Sequence, residues 1–397
     1  MTAGLRSLIL SALVALAAYE LFAVTGALSG LLLLVLPYAL GVLLATLVTH
    51  NRRHAAIGAL VPLAVLGPQA VPASELTQIL VLGVVALGLN VVTGWAGQIH
   101  LAQGVFVGFG AYTTALLTTR LGWPLLATIP VAGVVAGVFG LLLGLVALRF
   151  TGVFLAVLTT SLALVTPIVL KHYGSVTGGA GGILVEPLTP GGAFDALGVD
   201  QLTYIVTVVV ATLAAVLTWN MLAGRVGRAL RAVRDSPVAA MGIGVQPTRY
   251  KALAFTVSSF WAGIAGALYA ITIGFINPDS FGLFYGVQFL TMIVVGGLST
   301  IGGSFIGAAI VYELTTHVQD VGLPGSIAGQ SLSLPQQAIF GIILIVVILL
   351  VPRGITGVLY ASPTAVLHRL RGAFRTVSGN RNRPARSEKM LLTEETQ

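Results

Sequence analysis

The chain has 397 residues, of which 56% are hydrophobic and only 8% are charged. Because soluble domains carry about 25% charged residues, this composition excludes a water-soluble globular protein. The absence of cysteine excludes a disulfide framework, a thiolate metal site and a cysteine nucleophile. The net charge of +8 comes from basic residues at the ends of apolar segments, which indicates membrane topology and not a nucleic-acid-binding face.

Apolar stretches long enough to cross a bilayer recur along almost the whole chain. About 20 helical residues cross the hydrocarbon core of about 30 Å. The predicted spans are 8–28, 31–49, 55–72, 75–92, 99–119, 125–148, 152–171, 202–222, 252–275, 287–316 and 336–352. The first could be a signal peptide, but a second span follows and Glu20 interrupts the apolar run, so we expect an uncleaved helix. Glycines within these runs are interpreted as packing residues.

A polar stretch interrupts the apolar pattern between the fourth and fifth predicted spans. It is either a short connection whose polar groups cap helix ends, or a discontinuous helix that lines a translocation path. The candidate path residues are Asn90, Thr93, Gly94, Gly97, Gln98, His100 and Gln103. No carboxylate lies near His100 in sequence, which favours a packing or hydrogen-bonding role over a proton relay.

The distribution of Lys and Arg predicts the orientation. Residues 223–251 contain six basic residues and one acid, so this loop is predicted to be cytoplasmic, and the basic tail 361–397 likewise. Counting spans back from the loop places the N-terminus inside and the loop 172–201 outside. Only Arg120 and Lys171 are then placed on the outer side, where few basic residues are expected.

The basic loop contains a predicted docking element. Its arginines recur every three residues and therefore share a helix face. After them, Asp235 or Ser236 can cap a short helix that has Pro237 at its first position and ends near Gly242 or Gly244. A capped helix with a small Ala239 and Ala240 face is typical of a docking surface, and binding of anionic lipid is the alternative. The predicted docking residues are Arg228, Arg231, Arg234, Asp235, Ser236, Ala239, Ala240 and Gly244.

The segment 287–316 is predicted to be a broken, re-entrant hairpin. Two cytoplasmic flanks require an even number of crossings after residue 251, yet three apolar segments follow. Glycine costs a helix about 1 kcal/mol, so the middle of 287–316 is the natural break. The break is carried by Gly296, Gly297, Ser299, Gly302 and Gly303. The predicted fold is an all-α polytopic membrane protein with about ten transmembrane helices, this hairpin and both termini inside.

Four stretches, in order, resemble the permease family of branched-chain amino-acid ABC importers, and within it the M-type, LivM-like subunit. The resemblance covers residues 75–360 and leaves the N-terminal helices 1–74 and the basic tail 361–397, expected to be disordered, outside it. The stretches are TGWAGQIHLAQGVFVGFGAYTTALL, GRALRAVRDSPVAAMGIGV, FLTMIVVGGLSTIGGSFIGAAIV and FGIILIVVILLVPRGITG. The sequence departs from the family pattern at His100, Gln103, Pro237 and Met241.

The resemblance implies a type II ABC importer in the bacterial inner membrane. Such importers pair this permease with an H-type sister subunit, two cytoplasmic ATPases and an external solute-binding protein. It further implies that residues 223–251 hold the helix that couples to an ATPase. No GxxxxGK[ST] run occurs in the chain, so ATP would be used by partners and no cofactor bound by this chain.

Other functions are open at this stage. An ion-coupled secondary transporter would share broken helices at the midplane, but the spans offer few ionisable residues beyond Glu20, Glu75 and Glu313. An ABC permease for urea or short amides is also compatible. An enzyme is disfavoured, because the histidines do not form a metal-ligand or nucleophile-base pattern.

Overall fold

The computed structural model describes residues 72–147, 152–188 and 198–320, together with the pairs 326–327 and 330–331. The predicted spans before residue 72, the span 336–352 and the tail 361–397 lie outside these residues. The helices are α1 Ala73–Asn90, α2 Gln103–Leu121, α3 Leu125–Ala147, α4 Val153–His172, α5 Val199–Ala223, α6 Arg225–Asp235, α7 Pro237–Gly242, α8 Pro247–Ile273, α9 Leu283–Gly296 and α10 Ile301–Asp320. The described part is therefore almost entirely helical, as predicted.

Short elements connect these helices. A π-helical turn, Val91–Trp95, continues α1. Strand β1 (Ile183–Leu184) pairs antiparallel with β2 (Phe275–Ile276), and β3 (Ser326–Ile327) pairs with β4 (Gln330–Ser331). Single turns of helix occur at Gly174–Thr177, Gly179–Gly181 and Pro278–Phe281.

Five of the described helical segments are long and apolar enough to cross a membrane. They are Ala73–Trp95, Leu125–Ala147, Val153–His172, Val199–Ala223 and Pro247–Ile273. Helices α9 and α10 meet this criterion only together, and they are bent by 119° at the break between them. Helix α2 does not meet it, because polar residues such as Gln103 and Arg120 occur along it; most of α2 is buried within protein, where it need not be apolar. The chain is thus a multi-pass membrane protein.

Two ends of the bundle can be distinguished from contacts. The basic end holds α6, α7 and the start of α8, and the 27 residues of α8 carry the chain about 40 Å to the far end. At the far end Lys171 pairs with Asp279 at 2.7 Å, and Arg120 donates hydrogen bonds to the carbonyl oxygens of Ser175 and Val176. The two basic residues that oppose the predicted orientation therefore have local structural roles.

Glycines let the central helices approach backbone to backbone. Helix α8 packs against α1, α2 and α3, and Gly110 of α2 lies directly against Gly263 of α8. A Cβ atom at Gly110 would overlap the carbonyl oxygen of Gly263. This arrangement is the small-residue packing expected of helices in lipid, and it confirms the interpretation of the glycines as packing residues.

We expect Gly110→Ala to destabilise the folded bundle by up to about 2 kcal/mol. Alanine favours a helix by about 1 kcal/mol, but backbone overlap in a close-packed core costs about 1–3 kcal/mol and can be relieved here only by separating α2 from α8. Thermal unfolding in detergent measures the effect. Gly198→Ala is the control, because nothing lies within 4 Å of a Cβ atom there; equal melting temperatures for the two variants would contradict the packing assignment.

Candidate functional site

The basic loop folds into two consecutive helices, α6 and α7. Buried Leu230 and Val233 hold α6 against the bundle, and its arginines face outward. Ser236 is the N-cap of α7: its Oγ accepts a hydrogen bond from the backbone N–H of Ala239 at 3.3 Å. Pro237 occupies the first turn, and Gly244 follows with a φ of 79°. The predicted capped helix is present, with Ser236 and not Asp235 as its cap.

The outward surface of α7 is apolar. Val238 is 75% exposed and Met241 is 57% exposed, whereas Ala240 is 1% exposed. Ala239 and Ala240 therefore do not form a single exposed face, since Ala239 is exposed and Ala240 is buried. Any partner that docks on α7 would contact Val238, Ala239 and Met241.

Arg234 differs from the other arginines of α6 because its side chain reaches two distant segments. One guanidinium nitrogen, Nη1, donates to the carbonyl oxygen of Gly94 at 2.5 Å and to the hydroxyl of Ser299 at 2.8 Å. The stem of the side chain crosses Gly97, where a Cβ atom would lie 2.8 Å from Cγ of Arg234. Gly97 has a φ of 68°, a left-handed conformation that suits glycine. Arg234 thus joins the basic loop to the end of α1 and to the α9–α10 break.

The break between α9 and α10 is formed by residues with unusual backbone. Gly297 has a φ of 123°, and Ser299 has a φ of 61°, which only a few per cent of non-glycine residues adopt. The hydroxyl of Ser299 donates to the same Gly94 carbonyl oxygen at 2.7 Å. The hydroxyl of Thr300 donates to the carbonyl oxygen of Gly297 at 2.7 Å. Side chains therefore satisfy part of the backbone that the break leaves without helical partners.

Asn90, at the end of α1, holds the break from the other side. Its Nδ2 donates to the carbonyl oxygen of Thr300 and to the hydroxyl of Ser304, each at 3.0 Å, and to the carbonyl oxygen of Gly297 at 3.4 Å. Its Oδ1 accepts from the backbone N–H of Ser299 at 2.9 Å. Asn90 is fully buried. We call the set Asn90, Gly94, Arg234, Gly297 and Ser299 the junction.

The glycine block beside the break allows its two arms to touch. A Cβ atom at Gly296 would overlap the carbonyl oxygen of Gly303, and one at Gly303 would lie 2.8 Å from the carbonyl oxygen of Gly296. The arms α9 and α10 are thus in direct backbone contact next to the junction. Gly302 is the second residue of α10, which begins at Ile301.

The polar stretch after α1 is a connection and not a helix broken within one span. After the π-helical turn, residues 96–102 run without helical structure into α2. Gln103 bonds the backbone oxygens of Val85 and Ser258 and accepts from the Ser258 hydroxyl at 3.0 Å. The ring of His100 packs 5.2 Å from Phe255, edge to face. These polar side chains connect helices to one another.

Burial divides the predicted path residues into two groups. Asn90, His100 and Gln103 are 0% exposed and Gly94 is also buried, so in this conformation these four residues do not lie on the surface of this chain. Thr93 and Gln98 are partly exposed, and Gly97 is exposed. The role of both groups in a translocation path stays a prediction. Within the described ranges, no group of three or more His, Asp or Glu side chains could hold a metal ion.

A family model described as "Branched-chain amino acid transport system / permease component" matches residues 71–352. The chain belongs to this family. The match covers the described helices, including the basic loop and the α9–α10 break. The branched-chain amino-acid permeases are transport proteins and not enzymes.

Three relatives show how far the similarity extends. The chain is 34% identical to the high-affinity branched-chain amino acid transport system permease protein LivM of Salmonella typhimurium and 33% identical to LivM of Escherichia coli, in each case over 55% of this chain and 56% of the relative. It is 27% identical to LivH of Escherichia coli over 69% of this chain and 90% of that protein. The alignment thus spans little more than half the length of the LivM proteins. No solved structure matches this chain.

Proposed function

We propose that this chain is a membrane-spanning permease subunit of an ATP-driven importer for branched-chain or related amino acids. The observation that carries the proposal is the junction, in which Arg234 bonds a surface helix pair to the end of α1 and to the α9–α10 break. A subunit driven from outside the membrane needs such a link between its docking surface and its transmembrane helices. The names of the LivM and LivH relatives support the substrate class.

The proposed assembly contains partners that supply energy and substrate. A LivH-like sister permease would complete the path, two cytoplasmic ATPases would hydrolyse ATP, and an external solute-binding protein would deliver the amino acid. ATP would act only in the partners, and this chain would bind no cofactor. Val238 and Met241 on α7 would enter a groove of one ATPase, because they form an apolar surface at the basic end.

The orientation and topology complete the proposal. The basic end and both termini would lie on the cytoplasmic side of the bacterial inner membrane, because basic residues concentrate on that side. The 119° bend would make α9 and α10 a re-entrant pair that enters from outside and turns back at the junction. About ten crossings in a type II arrangement follow from this topology together with the predicted spans outside the described residues.

The two alternatives predict different behaviour. An ion-coupled transporter would need no ATPase, yet the surface of α7 has no role in such a protein. A permease for urea or short amides would keep the same ATPase coupling and differ only in substrate. The first alternative is tested by partner dependence and the second by competition with leucine.

We expect the double variant Val238→Asp, Met241→Asp to lose ATPase co-purification and ATP-dependent leucine uptake. Two carboxylates would be desolvated in the proposed groove, whereas the membrane helices are untouched. Leucine uptake into membrane vesicles of known orientation that contain all partners measures the effect. Leu184→Asp is the control, because Leu184 is also 75% exposed but lies at the far end. Leucine uptake that persists without any ATPase subunit would overturn the importer proposal.

A further inference from the structure

A cleft of about 180 Å³ opens between α1, α8, α9 and α10. Its walls include Gln78 near the start of α1, Tyr269 near the end of α8, and Tyr285 and Gln288 in the first half of α9. These positions are at the far end of the bundle, away from the junction. The sequence patterns that predicted path residues did not include any of them.

The polar lining of the cleft contains groups that are free to bind a ligand. The side-chain amides of Gln78 and Gln288 make no hydrogen bond with the part of the chain that the structure describes. Each amide offers a donor pair and an acceptor. The rings of Tyr269 and Tyr285 pack beside each other with their centroids 6.2 Å apart and form one wall of the cleft. Preformed walls with a few free polar groups are typical of small-molecule sites.

The rest of the lining defines the class of ligand. Val81, Leu82 and Ile273 supply an apolar surface, and none of the described residues that line the cleft is Asp, Glu, Lys or Arg. The carboxylates of Glu75 and Glu313 act electrostatically on the lining residue Tyr312, which disfavours an anionic solute. The described lining itself provides no charged side chain that would pair directly with a solute of net charge and offset its loss of hydration. Amides can bond both an ammonium and a carboxylate group, while the aliphatic surface covers a branched side chain. The cleft therefore suits a small neutral zwitterion with an aliphatic side chain.

The cleft and the junction lie on the same helices. Gln78 and Asn90 are separated by 12 residues of α1, or about 18 Å along its axis. Helix α9 carries Gln288 and ends at the break, and α10 begins at the break and lines the cleft through Tyr312. Closely packed helices move as stiff bodies, so a shift of the break would change the width of the cleft.

We propose that this cleft is a binding subsite for the transported amino acid, at the far end of the translocation route. Gln78 and Gln288 bond its ammonium and carboxylate groups, and Val81 and Leu82 contact its side chain. The proposal rests on the proposed function, because it places the imported solute inside this subunit. It adds a site, a ligand class and two specificity residues to that function.

The absence of native cysteine makes a direct occupancy test possible. In the assembled transporter, Thr272→Cys places one thiol in the cleft wall, and Phe284→Cys places one on α9 outside it, at a residue that is 64% exposed. Reaction with a small methanethiosulfonate is then followed with and without L-leucine. At a leucine concentration of about ten times its dissociation constant, we expect the Thr272→Cys thiol to react about tenfold more slowly and the Phe284→Cys thiol at an unchanged rate.

A second variant separates ligand binding from a general change of shape. Gln78→Leu, Gln288→Leu in the Thr272→Cys background should keep the thiol reactive and lose leucine protection. L-arginine and propionamide serve as probes of charge and of short amides, and neither should protect. An unreactive Thr272→Cys thiol, or protection by leucine that survives in the double Leu variant, would overturn the proposal. Absence of ATP-dependent leucine uptake by the unmodified transporter would instead overturn the proposed function, so the two failures are distinguishable.

Discussion

Replacing Arg234 with alanine is expected to lower ATP-driven uptake at least tenfold while ATPase subunits still bind. The substitution removes two charge-assisted hydrogen bonds, to Gly94 and Ser299, and leaves the exposed surface of α7 intact. Such a bond contributes roughly 1.5 kcal/mol or more, and about 1.4 kcal/mol is a factor of ten. The measurement is the ratio of leucine imported to ATP hydrolysed in proteoliposomes.

Arg228→Ala provides the matched control for this prediction. Arg228 lies on the same helix and carries the same charge, but it has no hydrogen-bond partner in the described part of the chain. Its loss should leave the transport ratio close to the wild-type value. Arg234→Lys should be nearly as impaired as Arg234→Ala, because a single ammonium cannot reproduce the reach of the guanidinium fork. Equal uptake by the Arg228→Ala and Arg234→Ala variants would contradict the prediction, since the positive charge of the loop and not the hydrogen bonds of Arg234 would then support transport.

Replacing Asn90 with leucine is expected to destabilise the protein by about 3 kcal/mol or more. Leucine has a similar volume, yet it leaves the carbonyl oxygens of Gly297 and Thr300 and the N–H of Ser299 without this partner. Each buried polar group that loses its bond costs about 1–3 kcal/mol. Thermal unfolding in detergent should show the loss, together with faster proteolysis near the break.

Thr114→Val is the companion variant for Asn90. The Thr114 hydroxyl is buried and has no hydrogen-bond partner within the described residues, so replacing it with a methyl group should be neutral or slightly stabilising. A drop in stability as large as that of Asn90→Leu would show that the junction contributes no more than any buried polar residue.

The membrane helices could be predicted closely from sequence because a segment that crosses lipid must be apolar, and hydropathy measures that property directly. The predicted spans 125–148 and 152–171 match α3, Leu125–Ala147, and α4, Val153–His172, within one residue at each end. The start of α8 was missed by five residues, because its first turn is polar and begins at Pro247. Hydropathy does not detect a helix that extends beyond the apolar layer.

The glycine-rich break was also predictable, since glycine weakens a helix wherever it occurs. Gly296 and Gly297 do end α9, and the arms are bent by 119°. Whether the pair re-enters the membrane stays a prediction. The residue that holds the break, Asn90, could not be found from sequence. It is 209 residues away from Ser299, and nothing distinguishes it in sequence from other polar residues in the spans.

The special role of Arg234 was hidden for a similar reason. Three arginines spaced by three residues look alike, and only the fold brings Gly94 and Ser299 to one of them. The sequence did contain one usable signal. Gly97 and Ser299, which the Arg234 side chain contacts, are both small residues, as expected where a long side chain passes between backbones.

The most direct test of the account is a nucleotide-dependent distance in the assembled transporter. Spin labels at Leu298→Cys, on the break, and Val209→Cys, on α5, occupy exposed sites in a chain without other cysteines. ATP binding is expected to change this distance in the wild-type background, and Arg234→Ala is expected to remove the change. A second pair, Arg228→Cys with Val209→Cys, should still respond in both backgrounds. An identical response of the Leu298 pair with and without Arg234 would contradict coupling through the junction.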